Sequence, residues 1–263
     1  MQLQHLKIES SLIIPYALLP GDPKRVDVIG EKLEKFEIVG QNREFRVGVG
    51  AYKNVPITVC STGIGCPSTA MATEVLIGAG ARILIRLGTC GGAWRADIPV
   101  GSLIIPVASI RDEGTTKEYV PDGFPAVADF GVVQALVEAA RKNAQRYYVG
   151  INRTHDAFYG NLESITKWGR YLLDSRWQKE DTPILSSVME SSALFVIAAL
   201  RNVKAGAILA VNADPEPLKE RILGKKQQVA SESSEIVTEE IVEKMISVAL
   251  DAMVILSHRP NSL

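Results

Sequence analysis

Short apolar runs alternate with amphipathic stretches along most of the chain. The runs 13–19, 45–50, 56–61, 82–88, 102–108, 146–152, 184–188 and 206–212 are rich in aliphatic and β-branched residues. They are bounded by Gly, Pro, Asn or Asp, which predicts strands. Ile83-Leu84-Ile85 and Ala207-Ile208-Leu209-Ala210-Val211 are apolar on both faces, as central strands covered by helices on each side must be. Helices are predicted between them. Asp22 can cap one that has Pro23 at its first position and runs to about Leu33. Pro67 opens a second, through Ala72, Val75 and Leu76 to Gly78 or Gly80. Further stripes lie at about 129–144, 190–201 and 234–257, the last with Ile241, Met245, Val248, Ala252 and Ile255 at helical spacing. The pattern predicts one α/β domain over 1–263, a three-layer sandwich around a mixed, largely parallel twisted sheet. The polar stretch 213–235 is the candidate mobile loop or short-helix excursion.

Composition narrows the function. The 263 residues carry 29 Lys+Arg against 30 Asp+Glu, a formal net charge of −1. That balance excludes a sequence-independent nucleic-acid binder, which needs a basic surplus. No apolar run reaches the length of a membrane span. Ser11–Leu19 resembles a short signal-peptide core. Glu9 precedes it, however, and Gly21-Asp22-Pro23-Lys24-Arg25 follows without a small-residue cleavage site, so it is expected to be a core strand of a cytoplasmic protein. Cys60, Cys66 and Cys90 have neither disulfide nor zinc spacing and are expected to be buried free thiols. His5, His155 and His258 form no metal-ligand pair.

Four short segments carry chemistry. In Leu19-Pro20-Gly21-Asp22-Pro23-Lys24-Arg25 a strand ends and a helix begins, a place where backbone N–H groups and Arg25 can hold an anion. Ser61-Thr62-Gly63-Ile64-Gly65-Cys66-Pro67-Ser68 repeats that strand–glycine–helix pattern without the Gly-Lys-Ser/Thr of a P-loop. Arg86 interrupts an apolar strand before Gly88-Thr89-Cys90-Gly91-Gly92, and a buried arginine requires a partner. Glu190, in Val188-Met189-Glu190-Ser191-Ser192, suits either the hydroxyls of a ribose or the dipole of the helix it begins.

In this order and at this spacing the four segments resemble the hexameric nucleoside phosphorylases, most closely their uridine phosphorylase branch. Asn42-Arg43-Glu44-Phe45, Gly123-Phe124-Pro125-Ala126-Val127-Ala128-Asp129-Phe130 and Asp156-Ala157-Phe158-Tyr159 extend the match over about residues 3–256. The resemblance implies that phosphate displaces a base from ribosyl C1′. It implies Gly21, Arg25, Arg86 and Thr89 as phosphate ligands, with Arg43 reaching a neighbouring subunit's phosphate. Met189 and Glu190 are implied as the ribose pair, His5 as a histidine closing over the neighbour's ribose, and Phe158 as the aromatic that stacks on the base. Glu44, Ile64 and Ser68 match a monovalent-cation site, for an ion such as K+, and no organic cofactor is implied. The implied partners are nucleoside, phosphate and further copies of the chain, as a dimer or a trimer of dimers.

Base recognition departs from the family pattern. The Gln-x-Arg that reads the pyrimidine edge is absent from Gly160-Asn161-Leu162-Glu163-Ser164. The purine branch carries Ser-Asp at this place; in Val211-Asn212-Ala213-Asp214 the acid Asp214 falls one residue late and is the candidate acid. The acid that precedes Met-Glu in both branches is Val188. Uridine phosphorolysis leads on overall match. Purine-nucleoside or methylthioadenosine phosphorolysis with Asp214 as acid follows. A nucleosidase would leave Arg25, Arg43 and Arg86 without an anion, and the remaining alternative is a non-catalytic nucleoside- or phosphate-binding homologue.

Overall fold

A computed structural model describes residues 1–90, 93–158, 167–174, 182–213, 223 and 233–259. The strands are β1 (Tyr16–Pro20), β2 (Glu34–Asn42), β3 (Phe45–Tyr52), β4 (Val55–Cys60), β5 (Ile83–Cys90), β6 (Leu103–Asp112), β7 (Ala126–Val127), β8 (Tyr147–His155), β9 (Ile184–Val188) and β10 (Lys204–Val211). The helices are α1 (Pro23–Gly30), α2 (Cys66–Gly78), α3 (Thr115–Tyr119), α4 (Phe130–Lys142), α5 (Lys167–Asp174), α6 (Ser191–Leu200) and α7 (Ser233–Ser257). One sheet runs β2-β3-β4-β1-β5-β10-β6-β8-β9, with β7 paired to β6. The pairs β4–β1, β1–β5, β5–β10, β6–β8 and β8–β9 are parallel; β2–β3, β3–β4, β10–β6 and β6–β7 are antiparallel. The chain therefore has the α/β fold expected from its pattern, a mixed and largely parallel sheet between helices.

β5 and β10 form the centre, as their largely apolar runs require, with Arg86 the interruption in β5. Leu84, Ile85, Leu87, Ala207, Ile208 and Leu209 are all buried. Helices close both faces: Leu76 of α2 and Phe195 of α6, and Leu136 of α4 with Met245 and Leu250 of α7, belong to one continuous core. Asp22 caps α1 by accepting from Lys24 N at 2.9 Å, and Asp129 caps α4 by accepting from Val132 N at 2.9 Å. Both caps satisfy N–H groups that a helix start leaves open.

Several elements differ from the pattern, including the following. The first strand begins at Tyr16, not residue 13. Pro15 has no N–H for a ladder, and Ile14 N donates to Thr58 Oγ1 at 2.9 Å instead. α1 ends at Gly30 rather than Leu33. β2 has no apolar alternation to reveal it; it is an edge strand, largely exposed and held by its pairing with β3. Cys60, Cys66 and Cys90 are buried free thiols, as expected. Among the described residues no helix is long and apolar enough to cross a membrane. Most of the 213–235 stretch lies outside the described residues.

Candidate active site

The carboxyl ends of β1, β4, β5, β8 and β9 open into one cavity of about 640 Å³. In an open parallel sheet these ends, with the loops that follow them, are where ligands bind. Gly21 and Arg25 come from the β1–α1 junction, and Gly63 and Ile64 from the β4–α2 loop. Arg86 and Thr89 come from β5, and Met189 and Glu190 from the turn into α6. Segments far apart in sequence thus bring the expected phosphate and ribose groups together. The two glycine loops are tied directly, because Gly63 N donates to the Gly21 carbonyl at 3.0 Å.

Arg86 is 4% exposed and Glu190 is 5% exposed. Arg86 Nη2 donates to Glu190 Oε2, and Arg86 Nη1 donates to Thr62 Oγ1 at 3.4 Å. Glu190 also accepts from Gly65 N and Met189 N, each at 3.1 Å. Its side chain makes no capping bond to α6. This favours a fixed carboxylate aimed into the cavity over a cap serving the helix. Arg86 Nε is buried and has no hydrogen-bond partner among the described residues. Arg25 donates to the Leu87 carbonyl at 3.4 Å, and burial, followed by the nearby Arg86 charge, lowers its pKa from the ordinary arginine value. Two guanidiniums thus lie in one cavity, one of them already paired with Glu190.

Behind Glu190 lies a polar network that the sequence did not announce. Glu113 accepts from Thr116 N at 3.0 Å, from Thr116 Oγ1, and from Ser192 Oγ at 3.1 Å. Ser192 N donates to Thr154 Oγ1 at 3.1 Å, and Cys66 Sγ donates to the Met189 carbonyl at 3.2 Å. The network fastens the start of α6 to α2, α3 and β8. Burial, then the neighbouring Glu113, push the Cys66 thiol pKa well up, so it serves as a donor rather than a nucleophile.

Glu44 and Ser68 also meet: Ser68 Oγ donates to Glu44 Oε1 at 2.8 Å. A backbone hydrogen bond at Glu44, and then Ser68, lower the Glu44 pKa. Ile64 is 77% exposed, and its aliphatic side chain leaves its carbonyl as its one oxygen donor for any cation. Among the described residues no group of three or more His, Cys, Asp or Glu side chains gathers for a metal ion. Phe158 lines the cavity and is 58% exposed. His5 and Arg43 do not line it. The His5 carbonyl accepts from Asn42 Nδ2 at 2.7 Å, and Arg43 is exposed at the β2–β3 turn with φ +55°. Asp214 and the 160–164 segment lie outside the described residues. Arg153 is buried against Asp112, donating from Nε at 2.9 Å, and stacks over the Trp168 ring at 4.7 Å.

Residues 15–243 match the family model described as "Phosphorylase superfamily". The chain belongs to this phosphorylase family. It is 42% identical over 208 residues to the uridine phosphorylase of Treponema pallidum, covering 79% of this chain and 80% of that one. It is 34% identical over 252 residues to the guanosine phosphorylase of Halorubrum lacusprofundi, covering 95% and 97%. The crystal structure of uridine phosphorylase from Vibrio fischeri ES114 superposes with a TM-score of 0.82 at 30% identity, covering 96% of this chain and 97% of that chain. The chain is thus a nucleoside phosphorylase. His155 and Ser187 also line the cavity, and the sequence did not single them out; the cue was that His155 directly precedes the recognised Asp156-Ala157-Phe158.

Proposed function

We propose that the chain cleaves uridine with inorganic phosphate, giving uracil and ribose 1-phosphate. The observation that carries the phosphorolytic reading is the placement of Arg25 and Arg86 beside Glu190 in one cavity. Phosphate sits against Gly21, Arg25, Arg86 and Thr89. Glu190 accepts the ribose hydroxyls, and Met189 packs beside the sugar. As the C1′–N bond lengthens, positive charge develops at C1′ next to the phosphate dianion, while Arg25 and Arg86 hold the dianion in place. The Phe158 ring stacks on the base. The uridine assignment is supported by similarity to the Treponema relative. The match to a guanosine phosphorylase over nearly the whole chain supports a second reading, a purine nucleoside as substrate with Asp214 as its acid.

His5 and Arg43 act on the site of a neighbouring copy, which makes the working unit at least a dimer and, by family resemblance, a trimer of dimers. At that junction Glu44, Ser68 and the Ile64 carbonyl supply oxygen donors suited to a monovalent cation such as K+, which neutralises the carboxylate and orders the loop. Three free thiols fit a reducing, cytoplasmic setting. The test is base release from uridine, inosine, guanosine and methylthioadenosine, with and without phosphate. Uridine cleavage that requires phosphate is expected. Purine-only cleavage transfers the reading to the second substrate class, and equal rates without phosphate overturn phosphorolysis.

A further inference from the structure

Glu190 occupies the N-cap of α6, where its carbonyl accepts from Leu194 N at 3.3 Å. The side chain of a residue at this place ordinarily accepts from the N–H of the second or third helical residue. The Glu190 side chain does not. It turns back to Arg86, Gly65 N and Met189 N. The capping duty passes to another strand. Ser192 is the second residue of the helix, and its N–H donates to Thr154 Oγ1 of β8 at 3.1 Å. Thr154 and Ser192 are both fully buried, out of reach of bulk water. The Thr154 hydroxyl is itself held, sharing a hydrogen bond with Ser109 Oγ of β6 at 2.6 Å. The Ser192 hydroxyl is held as well, donating to Glu113 Oε1 at 3.1 Å.

We propose that Thr154 is a positioning residue: by capping α6 from β8 it leaves the Glu190 carboxylate to the cavity, where that carboxylate accepts the ribose hydroxyls. The proposal rests on the reading of Glu190 as the ribose acceptor and adds the group that keeps it there. Thr154 does not line the cavity, so it acts through the helix start alone. Removing its hydroxyl strands the Ser192 N–H in the interior, where an unmade hydrogen bond is costly. The first turn of α6 recovers an acceptor by moving, or by drawing the Glu190 carboxylate over its own helix in the usual cap arrangement. Either change swings the carboxylate away from the sugar and from Arg86. The two substrates then respond with opposite signs. The nucleoside loses the acceptor for its hydroxyls. Phosphate loses a competitor, because the carboxylate now paired with Arg86 has withdrawn. General damage to the fold would weaken both.

The experiment compares the unsubstituted protein with Thr154→Val, which keeps the branched shape and loses the hydroxyl, and with Thr154→Ser, which keeps the hydroxyl. It measures kcat and KM for uridine and inosine at saturating phosphate, and the Kd of inorganic phosphate alone by calorimetry. Thr154→Val is expected to lower nucleoside kcat/KM about tenfold or more, while phosphate binds as well as before or tighter. Thr154→Ser is expected to restore most of the loss. In a Glu190→Gln background Thr154→Val should cost little more, because the charge it positions is already gone. Unchanged nucleoside kinetics in Thr154→Val overturn the proposal. So does a parallel weakening of phosphate, or a full additional loss in the Glu190→Gln background, since either marks a structural role. If Thr154→Val does not fold, Thr154→Cys, whose sulfur is a weak acceptor, decides by the same readouts. An unsubstituted protein that cleaves no nucleoside with phosphate overturns the ribose reading together with the proposal; phosphate-dependent cleavage with an indifferent Thr154→Val overturns the positioning role alone.

Discussion

Arg86 Nη2 is bonded to Glu190 Oε2 inside the cavity, so the arginine proposed for phosphate and the carboxylate proposed for ribose form one buried ion pair. An ionised carboxylate has about four acceptor positions. Glu190 fills three of them, with Arg86, Gly65 N and Met189 N. One position is free for a ribose hydroxyl, and a second opens only if Arg86 turns toward another anion. If phosphate is that anion, as proposed, its arrival prepares the ribose site.

Phosphate and nucleoside should therefore bind with positive coupling. Phosphate is expected to lower the Kd of a non-cleavable nucleoside analogue, and by linkage the analogue should tighten phosphate by the same factor. Arg86→Ala should abolish the coupling and weaken phosphate binding by on the order of 2–5 kcal/mol. Equal analogue affinity with and without phosphate would show that the pair does not open.

Glu190→Gln keeps the shape and removes the charge. Turnover should fall about tenfold or more, because hydrogen bonds to a charged acceptor are each worth roughly 1.5–3 kcal/mol. In a double-mutant cycle with Arg86→Ala the losses should be non-additive by about 0.5–3 kcal/mol, as for residues in direct contact. Normal kinetics with reduced thermal stability would return Glu190 to a helix-terminal role.

Gly63 has φ +69°, and a Cβ there would lie 2.7 Å from Glu44 Cγ and 3.1 Å from Ser68 Oγ. Gly63→Ala is thus strained in backbone and side chain alike, by about 1–3 kcal/mol. The melting temperature should drop, and the Glu44–Ser68 contact should be displaced. If the protein responds to K+, the variant should lose that response before it loses basal turnover. An unchanged melting temperature would show that the loop relaxes freely.

The sequence announced what local chemistry demands. Leu84, Ile85 and Ile208 lie in runs that suit only a covered strand, and Asp22-Pro23 marks a helix start wherever it occurs. Arg86 could be flagged because a buried arginine needs a partner, but that partner lies 104 residues away and only the sheet brings it near. β2 was hidden because Glu34, Lys35 and Glu37 are exposed and hold their place by pairing rather than by burial. Glu113 carries no spacing signature; its place in the network arises where β6 and α6 converge and Ser192 Oγ donates to it.

Burial pushes the Cys60 and Cys90 thiols from the ordinary 9.0 up to about 12. A pKa raised by folding contributes stability that is fully present below the unfolded value and is lost as pH climbs toward the folded one. The melting temperature should therefore begin to fall above pH 9.0 and keep falling toward about 12. The native thiols should resist alkylation at neutral pH and react on unfolding. Fast labelling of all three cysteines in the native protein would contradict their burial. Cys60→Ala should reduce the alkaline slope, whatever its effect on stability at neutral pH.

His5 and Arg43 lie outside the cavity of their own chain. If they complete a neighbour's site, His5→Ala and Arg86→Ala damage different chains' contributions to each site. Each variant alone should be impaired at every site. Mixed by unfolding and refolding together, the two form hybrid dimers in which one site carries both substitutions and the other carries neither. Half of the hybrid's sites should then regain full activity, and hybrids should make up about half of a random mixture. Recovery of roughly a quarter of unsubstituted activity is the expected result from this counting, measured as phosphate-dependent base release after refolding. Activity should also fall on dilution below the dimer's dissociation constant. No recovery in verified hybrids, or full activity in a species that sediments as a monomer, would place His5 and Arg43 outside the chemistry.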